Sequence, residues 1–108
     1  MGSSISQEEM TKAQDIVEEI IKTNKIVVFS KTYCPYCRRA KEVLKQHGVQ
    51  FFVMELDVEE LGSAIQQYLQ EKTGQRTVPN IFINEQHIGG CDDLMKLNSS
   101  GELKKLLQ

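Results

Sequence analysis

Cys34-Pro35-Tyr36-Cys37 sets two thiols one helical turn apart directly after a β-branched run, so the chain must fold with a strand feeding a helix here. Ile26-Val27-Val28-Phe29 has the composition of a buried strand. Beyond the thiols, Ala40, Val43, Leu44 and His47 recur at helical spacing. Cys34 therefore falls at a helix N-cap and Pro35 at the first helical position, where no N–H is required. There the Cys34 sulfur would meet unpaired backbone N–H groups and the positive end of the helix dipole, both of which stabilise a thiolate. The spacing suits reversible disulfide chemistry.

The rest of the chain builds a frame around that junction. Met10, Ala13, Ile16, Val17, Ile20 and Ile21 form a one-sided apolar stripe, which predicts an amphipathic helix from about residue 7 to 23, ending near Asn24. Gly48 closes the helix after the thiols, and Val49 to Leu56 has strand composition. Leu61, Ala64, Ile65, Tyr68 and Leu69 mark a third helix running to Thr73-Gly74. Ile81-Phe82-Ile83 and His87-Ile88 read as two short strands joined by Asn84-Glu85-Gln86, a turn without the usual glycine. Leu94, Leu97, Leu103, Leu106 and Leu107 place one or two helices at the end, broken at Asn98-Ser99-Ser100-Gly101. The strand–helix–strand unit needs a parallel pair, whereas the last two strands are joined tightly enough to be antiparallel. We expect an α/β fold, a mixed four-stranded sheet with about five helices, in one domain over 7–108 after a disordered start over 1–6.

Composition removes several classes of function. At a formal charge of −2, with no basic run, nucleic acid is not an expected partner. The longest apolar run is far below the roughly 20 residues that span a bilayer. Met1-Gly2-Ser3-Ser4-Ile5-Ser6 matches the N-myristoylation pattern, yet Glu8 and Glu9 follow where a basic second anchor would stand, and one acyl chain binds only marginally. We therefore expect no stable membrane association. Three cysteines, two of them in one CxxC, do not form a secreted disulfide framework and fit a reducing, cytoplasmic setting.

Three further segments complete a signature: Ser30-Lys31-Thr32-Tyr33 before the thiols, Gln75-Arg76-Thr77-Val78-Pro79 before the third strand, and Gly89-Gly90-Cys91-Asp92-Asp93 after the fourth. With these the chain closely resembles a dithiol glutaredoxin over essentially its whole length. The resemblance implies a thioredoxin fold with a cis peptide before Pro79, where proline makes cis cheap. It also implies that Val78 offers its backbone N–H and C=O to a peptide-like substrate. That peptide is glutathione, with two carboxylates and one ammonium. Lys31 and Arg76 suit the carboxylates, Asp92 suits the ammonium, and the N–H groups of Gly90 to Asp92 suit the γ-glutamyl carboxylate. Tyr36, Gln66, Thr77, Val78 and Pro79 complete the expected contacts, and Cys34 and Cys37 are the expected catalytic pair.

The implied activity is glutathione-dependent thiol–disulfide exchange. Substrates are glutathionylated and disulfide-containing proteins, and glutathione reductase acts indirectly through the glutathione pool. We expect a monomer with no resident cofactor or metal and with glutathione as co-substrate. A zinc site from Cys34, Cys37, His87 and Cys91 lacks a second CxxC or a close histidine pair. A rival from another class is a carrier that holds an iron–sulfur cluster between subunits with glutathione as ligand. Cys91 reads first as a small residue at a helix start and second as a thiol beside the glutathione site, open to oxidation, glutathionylation or a disulfide-linked dimer. His47 and His87 read as surface residues, and Arg38, Arg39 and Lys41 as a solvated helix face that adds modest positive potential near Cys34.

Overall fold

The computed structural model describes residues 5–108, which form five helices and a four-stranded sheet. In order these are α1 (Gln7–Thr23), β1 (Ile26–Ser30), α2 (Pro35–Gln46), β2 (Phe52–Glu55), α3 (Gly62–Thr73), β3 (Asn80–Ile83), β4 (Gln86–Gly89), α4 (Cys91–Ser100) and α5 (Glu102–Leu107). The sheet runs β2-β1-β3-β4, with β1 and β2 parallel and both β1–β3 and β3–β4 antiparallel. That is the mixed sheet expected.

Alternation along β1 divides the core in two, because successive strand side chains face opposite sides. Val27 and Phe29 pack with Ala13, Val17, Ile21, Ile65 and Leu69 beneath α1 and α3. Ile26 and Val28 pack with Ala40, Leu44, Leu94 and Leu103 beneath α2, α4 and α5. Every residue of β1 is buried. The functional end of the sheet is the one where β1 stops. The parallel β2 ends there, β3 begins there, and β4 returns there.

Three expectations change. The second strand shrinks from Val49–Leu56 to Phe52–Glu55, because β1 offers partners only from Val27, opposite Phe52, to Ser30, opposite Glu55. Val49 and Phe51 pack against the core without joining the ladder. Ile5 and Ser6, expected within a disordered start, have defined places in the structure. Ser6 caps α1, exchanging hydrogen bonds with Glu9 at 2.9 and 3.1 Å, and Ile5 packs on the core. Residues 1–4, with most of the acylation pattern, lie outside the described residues. The hairpin turn is two residues long rather than three. Asn84 and Glu85 both take positive φ, 53° and 67°, and Gln86 already belongs to β4.

Asn84 is fixed in that conformation, since its N–H donates to Lys25 O at 2.7 Å and its side chain to Leu106 O at 3.2 Å. Glu85 is exposed and has no such anchor. A side chain in left-handed backbone costs about 1 kcal/mol, which glycine avoids. Glu85→Gly should therefore raise stability by about 0.5–1 kcal/mol, read as a higher urea midpoint at unchanged m-value.

On the α1–α3 seam, Lys72 Nζ lies 2.9 Å from Glu18 Oε2, and the Tyr68 hydroxyl donates to the same oxygen. Burial alone would raise the Glu18 carboxyl, but Tyr68 and Lys72 together hold it below its ordinary 4.5. A lowered carboxyl adds stability above its ordinary pKa and loses it as pH falls through the folded value. The stability gap between wild type and Glu18→Gln should accordingly be widest above about pH 5 and close on acidification below 4.5, measured by urea unfolding across pH.

Candidate active site

α2 begins as the sequence predicts. Cys34 has extended backbone, with φ −89° and ψ 115°, and Pro35 starts the helix. The Cys37 N–H donates to Cys34 Sγ at 3.2 Å, so the sulfur occupies the place of a capping oxygen. The Cys34 N–H donates to Lys31 O at 3.1 Å, closing the turn ahead of it. Both thiols are free, but their surroundings differ: Cys34 is half-buried and Cys37 is fully buried. Burial pushes the Cys37 thiol up to about 11, reinforced by its hydrogen bond with Cys34.

Opposite Cys34 stands the loop entering β3. The Val78–Pro79 peptide is cis, and Cys34 Sγ lies 3.8 Å from Val78 O. Among the described residues no protein acceptor takes the Val78 N–H. Gln75 braces this loop, donating from Nε2 to Thr77 O at 3.0 Å and to Pro79 O at 2.9 Å. Gln66 donates to Arg76 O at 2.8 Å from α3, so it holds the same loop from behind.

The third wall is the junction of β4 and α4. Gly89 takes φ 120°, and a Cβ there would fall 2.2 Å from Asp93 Oδ2, so the position excludes other residues. Asp93 Oδ2 accepts the Gly90 N–H at 2.9 Å. That corrects one expectation: the Gly90 N–H is already engaged, and the N–H groups left to face a ligand are those of Cys91 and Asp92, the first two of α4. The orphan donors at a helix N-terminus suit an anionic group.

These walls enclose an open groove of about 740 Å³ beside Cys34. Of the residues named from sequence, Tyr36, Thr77, Val78, Pro79, Gly90 and Asp92 line it. Lys31, Gln66 and Arg76 do not, nor do Cys34 and Cys37, which sit beside it at the start of α2. The charge of Lys31 reaches Asp57, and Gln66 is engaged with the backbone of Arg76, an exposed residue of the loop before β3. Sequence reasoning placed Cys91 beside the site and missed Arg39, Gln75 and Asp93 as lining residues. Arg39 was detectable, being three residues after Tyr36 and so on the same helix face; its guanidinium lies 5.9 Å from the Tyr36 ring centre. Cys91 is buried at the groove wall, and that burial raises its thiol pKa in spite of the nearby Arg39.

The zinc set does not assemble. His87 Nε2 pairs with Asn80 Oδ1 at 2.9 Å, and among the described residues no three His, Cys, Asp or Glu side chains converge to hold a metal ion.

A buried thiol behind a half-exposed one, facing a cis-proline loop at the end of a mixed sheet, defines a thioredoxin-fold dithiol oxidoreductase. The glutaredoxin family model matches residues 26–88. Glutaredoxin-1 of Rhizophagus irregularis is 51% identical over 98 residues, covering 91% of this chain and 97% of that protein. Glutaredoxin-C2 of Arabidopsis thaliana is 55% identical over 95 residues, covering 88% and 86%. A crystal structure of a buckwheat glutaredoxin–glutathione complex superposes with a TM-score of 0.93 at 45% identity, covering 94% of this chain and 93% of that one. The chain belongs to the glutaredoxin family.

The two thiols should separate on alkylation. In brief iodoacetamide labelling of the reduced protein, with mass-spectrometric mapping, Cys37 should stay protected at neutral pH, and its labelling should keep rising until about pH 11. Rapid labelling of Cys37 at pH 8 would contradict its burial.

Proposed function

We propose that this glutathione-dependent thiol–disulfide oxidoreductase removes glutathione from glutathionylated proteins through Cys34 alone and reduces protein disulfides through Cys34 and Cys37 together. The observation that carries the reading is the groove beside Cys34. It offers an unpaired backbone N–H at Val78, free N–H groups at the start of α4, the Asp92 carboxylate and the Arg39 guanidinium. Glutathione is an extended peptide with two carboxylates and one ammonium, and each finds a complementary group there. The backbone of Val78 pairs with the peptide as an added strand would. The Arg39 guanidinium and the α4 N–H groups suit carboxylates, and Asp92 suits the ammonium.

In the first step the Cys34 thiolate attacks the glutathione sulfur of a mixed disulfide. A bond forms between Cys34 and glutathione, the old S–S bond breaks, and the electron pair leaves on the protein thiol. A second glutathione thiolate then attacks the glutathione sulfur bound to Cys34, releasing oxidised glutathione and the Cys34 thiolate. When the substrate is a protein disulfide, Cys34 first bonds one substrate sulfur and releases the other as a thiolate. Cys37 then loses its proton and attacks Cys34 Sγ, breaking the Cys34–substrate bond and expelling the remaining substrate sulfur as a thiolate. Two glutathione molecules reduce the Cys34–Cys37 disulfide, leaving as oxidised glutathione. The Cys37 N–H already bonds Cys34 Sγ at 3.2 Å, so the resolving residue lies directly against its target.

The reading extends to a monomer acting in the cytoplasm, with electrons drawn from the glutathione pool and no resident cofactor. Family membership and the likeness to a glutathione complex favour thiol exchange over the cluster-carrier alternative.

The test is a coupled assay with glutathione, glutathione reductase and a small glutathione mixed disulfide. Cys34→Ser should be inactive with every substrate. Cys37→Ser should retain deglutathionylation and lose protein-disulfide reduction. Activity in Cys34→Ser would overturn the proposal.

A further inference from the structure

A mixed disulfide has two halves, and the groove accommodates one. Its walls come from the start of β3 and the end of β4, which lie on one side of β1 in the sheet order β2-β1-β3-β4. In-line exchange puts the leaving sulfur beyond the glutathione sulfur as seen from Cys34. With glutathione filling the groove side, the free surface beside Cys34 for the rest of the leaving half is the side where β2 ends. The loop after β2 is Asp57-Val58-Glu59-Glu60, and all four residues are exposed.

That loop is held against the segment just before Cys34. Asp57 Oδ1 accepts the Thr32 N–H at 3.0 Å, and its other carboxylate oxygen accepts the Thr32 hydroxyl. The residues that follow this tie on each strand of chain are Tyr33 and Val58, and both are bare: 68% and 69% exposed, the two most exposed large apolar side chains described. The loop is also shaped in advance. The Val58 N–H donates to Glu55 O at 3.2 Å and the Gly62 N–H to Glu59 O at 3.0 Å. A Cβ on Gly62 would fall 1.8 Å from Leu56 O, so close packing of backbone fixes the loop's exit. Asp57, Glu59 and Glu60 flank Val58 along the loop with negative charge, and the charge of Lys31 reaches Asp57.

Resting on the glutathione reading of the groove, we propose that Tyr33 and Val58, flanked by Glu59 and Glu60, form the docking surface for the protein half of a glutathionylated substrate. They select cysteines flanked by an apolar residue and by Lys or Arg. Chemistry and charge agree on that partner. The protein sulfur is the leaving group of the first step, and a thiol beside Lys or Arg is more acidic and departs faster. The same basic residues complement the carboxylates of this loop, which steer approach and hold register at the rim of an interface. An apolar neighbour covers Tyr33 and Val58, and a preformed loop lowers the ordering cost of binding.

The experiment compares kcat/KM for two glutathionylated peptides of equal length and for the small mixed disulfide of glutathione and 2-mercaptoethanol. One peptide carries Leu, Lys and Arg around its cysteine, and the other Leu, Glu and Asp. Wild type should favour the basic peptide, and the preference should shrink as salt rises. Glu59→Lys/Glu60→Lys should cut that preference about fivefold. Val58→Ser should slow both peptides about threefold. Neither variant should alter turnover of the small disulfide, which also reports that each is folded. A preference unchanged in the double variant, or variants that slow the small disulfide as much as the peptides, would overturn the docking surface. A wild type inactive on the small disulfide would instead overturn the glutathione reading itself.

Discussion

Strand β1 is buried along its whole length, with α1 and α3 on one face and α2, α4 and α5 on the other, and everything reactive hangs from its C-terminal end. A strand buried on both faces cannot slip in register without exposing one core and overfilling the other. Ser30 is thereby fixed, and with it the turn that delivers Cys34 to the start of α2. The neighbouring strands then bring the Val78–Pro79 loop, the start of α4 and the Asp57 loop to the same edge. The site is precise because its parts are ends of rigid elements rather than members of a free loop.

The two thiols share a helix turn and not an environment. Cys34 receives the Cys37 N–H and remains half-open, while Cys37 is closed off and its thiol is pushed up to about 11. Burial therefore separates the two, Cys34 half-open and Cys37 shielded from solvent, and the proposed roles of the two thiols rest on that difference.

Element type was legible wherever the apolar period was clear. α1 ends at Thr23 with Asn24 at its C-cap, as its stripe predicts, and Gly48, Gly74 and Gly101 all take positive φ at helix ends. The failures have a common origin in pairing. β2 is shorter than its composition suggests because β1 is only five residues long, and Asn84-Glu85 makes a tight turn without glycine because Asn84 is anchored from outside the hairpin. Within the site, residues adjacent in sequence to a motif were found and Arg39 was within reach of helical spacing from Tyr36, whereas Gln75 and Asp93 came into view only with the fold. Gln75 serves by bonding two carbonyls of its own loop, a role that no residue spacing announces.

By itself the sequence determined the order of elements, the placement of Cys34 at a helix start and the kind of chemistry two such thiols perform, since these depend on neighbours a few residues apart. Tertiary structure alone decided which thiol is buried, which backbone N–H groups remain unpaired and which charged residues face the groove. Those properties arise where segments dozens of residues apart meet. Thr32 meets Asp57 and Cys34 meets Val78, and only the packed sheet brings either pair together.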